Sequence, residues 1–160
     1  MFSRAARAVW HRVVERHAMA ERRQATVQSG STVGKPGSLT GRVFEYTQVI
    51  EALVPTVKVP GDWAPLMEFA AVEEFERVGT FLEVQNWQRY TEMLTQWASA
   101  IDAFGTKVRR VAELPGLVYL EAEERHYRGA TENAVNSMSV FEFNVNDKVC
   151  HLDVYLQQPR

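Results

Sequence analysis

The chain has one cysteine, Cys150, in 160 residues. That excludes an internal disulfide and fits a reducing compartment. Long apolar runs are also missing, the longest being only a few residues, so no helix is expected to span a bilayer. His11 and His17 are poorly spaced for one helical face, and His126 is far in sequence from His151. No Cys or His pair has ligand spacing, so neither a metal nor a cofactor is expected. Gly34-Lys35 lacks the surroundings of a phosphate-binding loop. Only three residues separate Gly30 from Gly34 where the pattern needs four, and Pro36 stands where Ser or Thr belongs.

Acid is scarce at one end. Residues 1–42 carry eight basic groups against Glu15 and Glu21, a net of +6, whereas residues 43–160 carry ten basic and eighteen acidic groups, a net of −8. An asymmetry of this kind marks a basic arm joined to an acidic globular body. A sequence pI near 6.1 argues against a nucleic-acid-binding body. The hydrophobic content of 46% excludes general disorder, and the length suits one well-buried core.

The arm, residues 1–41, reads as a helix from about Ser3 to Thr26 followed by a Gly/Ser/Pro linker. Trp10 marks its apolar side, and Arg4, Arg7, Arg12, Arg16, Arg22 and Arg23 spread over the rest. Basic, amphipathic and poor in acid, it has the physical character of a mitochondrial presequence. Its other readings are a tether to a partner surface and an ordinary solvated helix.

The body, residues 42–160, is expected to open with a helix from about Arg42 to Val54, capped by Thr40 and ended by Pro55. A second helix is expected over 66–78, with Met67, Ala71, Phe75 and Val78 as its stripe, and a short strand over 80–84. Trp87, Tyr90, Leu94, Trp97 and Ile101 keep a 3-4-3-4 spacing, which predicts a helix from Asn86 closed by Gly105. Four period-two segments follow, at 107–114, 117–128, 132–145 and 148–157. They are broken by Pro115-Gly116, Gly129-Ala130 and Asn146-Asp147, the chemistry of tight antiparallel turns. Helices must cover one face of this meander, which gives an α+β two-layer body.

Two stretches carry a family resemblance. Gly79-Thr-Phe-Leu-Glu-Val-Gln-Asn-Trp-Gln-Arg-Tyr90 resembles a glycine-containing lead-in to a pocket-roofing helix. Val140-Phe-Glu-Phe-Asn-Val-Asn-Asp-Lys-Val-Cys-His-Leu-Asp-Val-Tyr155 resembles a last hairpin. Over about residues 62–157 the pattern is similar to the nuclear-transport-factor-2-like cone, with the SnoaL-like polyketide cyclases and ketosteroid isomerases nearest. It departs from them in having Asn146-Asp147, rather than Asp-Gly, before Lys148. The resemblance implies helices packed on a strongly curved antiparallel sheet, behind an N-terminal helical extension, and a pocket lined by Trp87, Tyr90, Trp97, Phe141 and Phe143.

In such a cone, apolar walls raise a carboxylate's pKa so that it moves a proton on a carbonyl substrate. Asp153, with His151 and Tyr155 alternating along the last strand, is the candidate. His126 and Tyr119 fall on opposite faces of the second long strand, so only one of them can join. Cys150 is expected to be a small buried hydrophobe. With no complete catalytic constellation, the leading expectation is a non-catalytic accessory subunit of a larger assembly, in mitochondria or alternatively the cytoplasm. It would dock on other protein subunits through its sheet face and basic arm, or meet an anionic lipid surface near the arm. The alternatives are a SnoaL-like isomerase, cyclase or dehydratase and a hydrophobic-ligand binder.

Overall fold

The structure, a computed structural model, describes residues 38–157. It begins with helix α1, Leu39–Leu53, in which Val43, Tyr46 and Ile50 follow the 3-4 spacing of one helical face and are buried. Ser38 caps it, its hydroxyl accepting from the Gly41 N–H at 3.0 Å. Thr40, the expected cap, lies inside the first turn, and its N–H and hydroxyl donate to the Glu113 carboxylate. That contact ties the start of α1 to a strand far away in sequence.

The helix expected over 66–78 does not form. A 3-10 helix, Pro60–Glu68, buries Trp63 and Leu66 to 0% exposure, and the chain then turns extended. The reason is the sheet edge. The Val149 N–H donates to the Phe69 carbonyl at 2.8 Å, and the Ala71 N–H donates to the Val149 carbonyl at 2.9 Å. Backbone groups that satisfy a neighbouring strand cannot also close helical turns. Strand β1, Glu76–Val78, continues along that edge, and β2, Val84–Gln85, folds back onto it through a turn with Leu82 at φ 64.

Helix α2, Trp87–Ala98, forms where its aromatic periodicity predicts. Asn86 caps it, with Oδ1 accepting from the Arg89 N–H at 3.0 Å. It buries Tyr90, Thr91, Leu94 and Ala98. Gly105, expected to close this segment, instead lies within β3, paired with Arg125.

The meander is β3 (Ala103–Leu114), β4 (Leu117–Arg128), β5 (Thr131–Phe143) and β6 (Val149–Leu156). The sheet order is β2-β1-β6-β5-β4-β3; β1 runs parallel to β6 and all other neighbours are antiparallel. Gly116 at φ 72 and Gly129 at φ 56 supply left-handed turn positions that suit glycine. Irregularities between Val108 and Arg110, and between Glu142 and Phe143, break the register where the long strands bend. The sheet stays open, and the helices with the inner face of the meander enclose the core: an α+β cone.

Candidate functional site

Parity along β4 sorts its side chains. Val118, Leu120 and Ala122 point inward and are buried, so Glu124 and His126, two and four residues on, face the same way. Register then defines the rest of this concave face. Thr106 and Val135 flank Glu124, and Phe104 and Asn133 flank His126. Phe141, in register with Val118 and Leu152, belongs to the end that the helices cover. Thr106, Glu124, His126, Asn133 and Val135 all keep partial exposure. The inner face is therefore sealed at one end and recessed at the other.

Aromatic rings hold both ends. Trp97 of α2 packs edge-on against Phe104 at 4.9 Å and against the His126 ring at 5.7 Å. Phe75 meets Trp87 at 5.3 Å and Tyr90 at 5.2 Å. Tyr46 of α1 packs edge-on to Phe141 and shares a hydroxyl–hydroxyl hydrogen bond with Tyr90. Both tyrosines are 3% exposed, and loss of water raises the pKa of each. From β1, Arg77 is in register with inward-facing Leu152, and its guanidinium lies 5.9 Å from the Tyr90 ring centre.

The two inward-facing ionisable groups of β4, Glu124 and His126, are perturbed in opposite directions. Burial raises the Glu124 carboxyl above the ordinary glutamate value, opposed by the Ser137 hydroxyl and the positive charge of Arg77. Burial lowers His126, opposed by a hydrogen bond between its ring and the Asn133 backbone. Both shifts move their group toward the neutral form, and the two groups share one wall. At about 3.3 Å of rise per residue their backbones stand about 7 Å apart. Neighbours on one face, these are residue types of which one can give a proton while the other takes one.

The structure brings His151, Asp153 and Tyr155 together elsewhere. They register with Glu142, Val140 and Met138, and His151 and Asp153 also with Glu76 and Val78, all on the convex face. The His151 ring lies between Glu76 Oε1 at 3.3 Å and Asp153 Oδ1 at 3.1 Å, while Tyr155 is exposed. They lie away from the cone because Leu152, between His151 and Asp153, takes the inward parity. Of the expected pocket residues, Trp97 reaches the recess. Tyr90 is buried, with its hydroxyl on Tyr46, Trp87 packs on Phe75, Phe141 fills the covered core, and Phe143 packs against that core. Cys150 is half-buried, which raises its thiol pKa. Arg4, Arg7, Trp10, Arg12, Arg16, Arg22 and Arg23 lie outside the described residues. Among the described residues no group of three or more His, Cys, Asp or Glu is placed to hold a metal ion.

Sequence reasoning passed over Glu124 and Arg77. Glu124 had a readable signal, an acid at the inward parity of Val118, Leu120 and Ala122. Arg77 had none, because β1 itself was expected to be helix.

No family model matches the sequence, and no curated protein matches it. Solved structures do match the fold. A nuclear-transport-factor-2-like protein from Anabaena variabilis superposes with a TM-score of 0.61 at 14% identity, covering 80% of this chain and 96% of that one. A protein described as a SnoaL-like polyketide cyclase, from Shewanella putrefaciens, gives 0.59 at 10% identity over 74% of this chain and 79% of that one. A protein from Catenulispora acidiphila with a ketosteroid-isomerase-like fold, crystallised with trimethylamine, gives 0.53 at 13% identity, covering 69% and 84%. The body of this chain has the nuclear-transport-factor-2-like fold.

Proposed function

We propose that the concave recess binds a small, largely apolar molecule bearing a carbonyl and catalyses a proton shift or dehydration on it. The observation that carries this reading is the placement of Glu124 and His126 on one partly exposed inner wall, each held toward its neutral form by burial. Neutral His126, with one ring nitrogen engaged at Asn133, has its other lone pair to take a proton from the carbon next to the carbonyl. Protonated Glu124 gives its proton to the carbonyl oxygen, or to a departing hydroxyl that leaves as water. Solvent then returns His126 and Glu124 to their starting forms. Pairs of titratable groups pushed apart by their surroundings are what acid–base enzymes use.

The test is deuterium wash-in next to the carbonyl of a panel of cyclic ketones and β-hydroxyketones, followed by NMR in heavy water. Exchange above the buffer rate for at least one compound is expected, with a loss of about 100-fold or more in Glu124→Gln and in His126→Ala. No exchange with any compound, or exchange indifferent to both substitutions, overturns the reading.

An accessory-subunit role, with mitochondria as its location, is the second reading. It is favoured by the exposed apolar side chains Phe81 and Leu82, 78% and 80% accessible, and by Tyr155 on the convex face. Native purification checks it. A monomer that keeps no protein partner, and is indifferent to Phe81→Ser with Leu82→Ser, removes it.

A further inference from the structure

Arg77 is a costly residue to place on the inner face of an apolar cone, because a guanidinium leaves water only when something else satisfies it. Its side chain is 11% exposed. Its two polar protein contacts both go through Nη1, which donates to Gln85 Oε1 at 2.8 Å and lies 3.3 Å from Glu83 Oε1. Among the described residues, Nε and Nη2 have no acceptor, and neither is a buried unpartnered atom, so both still reach solvent. The guanidinium carbon lies over the Tyr90 ring, 5.9 Å from its centre, a contact that occupies none of its donors. Two adjacent N–H groups of a fixed guanidinium form a fork matched to a carboxylate.

The surroundings fix this fork in place. Glu83 folds back over Gly79, where an added Cβ would collide with its Oε1, and its other oxygen accepts from the Phe81 N–H at 3.0 Å. Gln85 is the cross-strand partner of Arg77 in the β1–β2 pair. One nitrogen is therefore anchored from the rim of the cone and the remaining donors are left over. Arg77 stands on the inner-facing row of Leu152 and Phe141, and its charge acts on Tyr46 and Tyr90 at the covered end and on Glu124 farther along the same face.

We propose that Arg77 is the specificity-determining residue of the recess, and that the ligand carries a carboxylate that binds its Nε and Nη2 while its apolar skeleton extends toward Trp97. This rests on the concave recess being the binding site, as above, and adds the substrate class: an apolar carbonyl compound with a carboxylate tail. Charge coupling follows from it. A carboxylate on Arg77 offsets the positive charge that draws Glu124 toward ionisation, so the bound acid moves Glu124 further toward the protonated form that the reaction needs.

Calorimetric titration of the full chain with 2-naphthylacetic acid and with its amide tests this, because the two probes differ in charge and hardly in shape. The wild type is expected to bind the acid about tenfold or more tightly than the amide. Arg77→Gln is expected to bring the acid down to the amide's affinity while leaving the amide unchanged, which also reports that the variant is folded. Arg77→Lys keeps part of the preference. Equal affinities in the wild type, no detectable binding of the acid, or a preference that survives Arg77→Gln each overturn the proposal. A preference for the acid without deuterium wash-in leaves this assignment standing and removes the proton-transfer reading; wash-in without the preference does the reverse.

Discussion

The Tyr46–Tyr90 pair supplies the sharpest test of how the recess is built. Both hydroxyls are buried, each is the other's partner, and the rings around them are Phe69, Phe75, Phe141 and Trp87. Tyr46→Phe strands the Tyr90 hydroxyl in an apolar setting, and Tyr90→Phe strands that of Tyr46. An orphaned buried hydroxyl costs about 1–3 kcal/mol, whereas removing both members of a pair is close to neutral. Each single variant is thus expected to lose about 2 kcal/mol and the double variant much less than the sum, a coupling of about 1–3 kcal/mol. With a urea dependence of about 1–3 kcal/mol per molar, each single variant lowers the unfolding midpoint by about 1 M. Urea unfolding of the four proteins, followed by tryptophan fluorescence and circular dichroism, reads the cycle directly. Additive single effects, or single variants that cost nothing, would refute the reasoning. Those outcomes would mean that water reaches these hydroxyls, and the sealed end of the cone would then be open.

Three further outcomes follow from the same structure. Because burial raises Glu124, the folded chain holds its proton more tightly than the unfolded chain, so the associated stability is present at low pH and lost as pH rises through the folded value. Glu124→Gln is therefore expected to gain stability over the wild type progressively as pH rises from the ordinary glutamate range through the raised folded value, and a pH-independent difference in urea midpoint contradicts this. Leu66→Ala, at a fully buried position of the 3-10 helix, is expected to cost about 2–5 kcal/mol by thermal and urea unfolding; a cost well below this means that the site collapses around the gap. Ser38→Ala removes the acceptor for the Gly41 N–H and is expected to cost about 1 kcal/mol, while Ser38→Asp restores it.

Local pattern located what local forces decide. The Trp87, Tyr90, Leu94, Trp97 spacing is a helical stripe in any context, and β4 begins and ends where the Pro115-Gly116 and Gly129-Ala130 turns predict. The failure over 66–78 was not a matter of propensity. That segment reads as helix by itself and becomes extended because β6 presents unpaired backbone groups to it. The candidate site moved for a related reason. Parity states which residues share a face, but not which face a layer of helices will cover, so the alternation of His151 and Asp153 does not show that they face outward.

Sequence by itself determined the α+β class, the four-strand meander, the roofing helix and the cone pattern, because hydrophobic period and turn chemistry act over a few residues. It also placed Glu124 and His126 on one face of β4 without marking that face as the inner one. Only the tertiary structure decided that the inner wall is theirs, that a parallel β1 delivers Arg77 to the inner face beside Tyr90, and that His151 and Asp153 face outward. These are consequences of strand pairing across about 75 residues of chain, Glu76 to His151. Burial and charge there are set by groups that no local window contains.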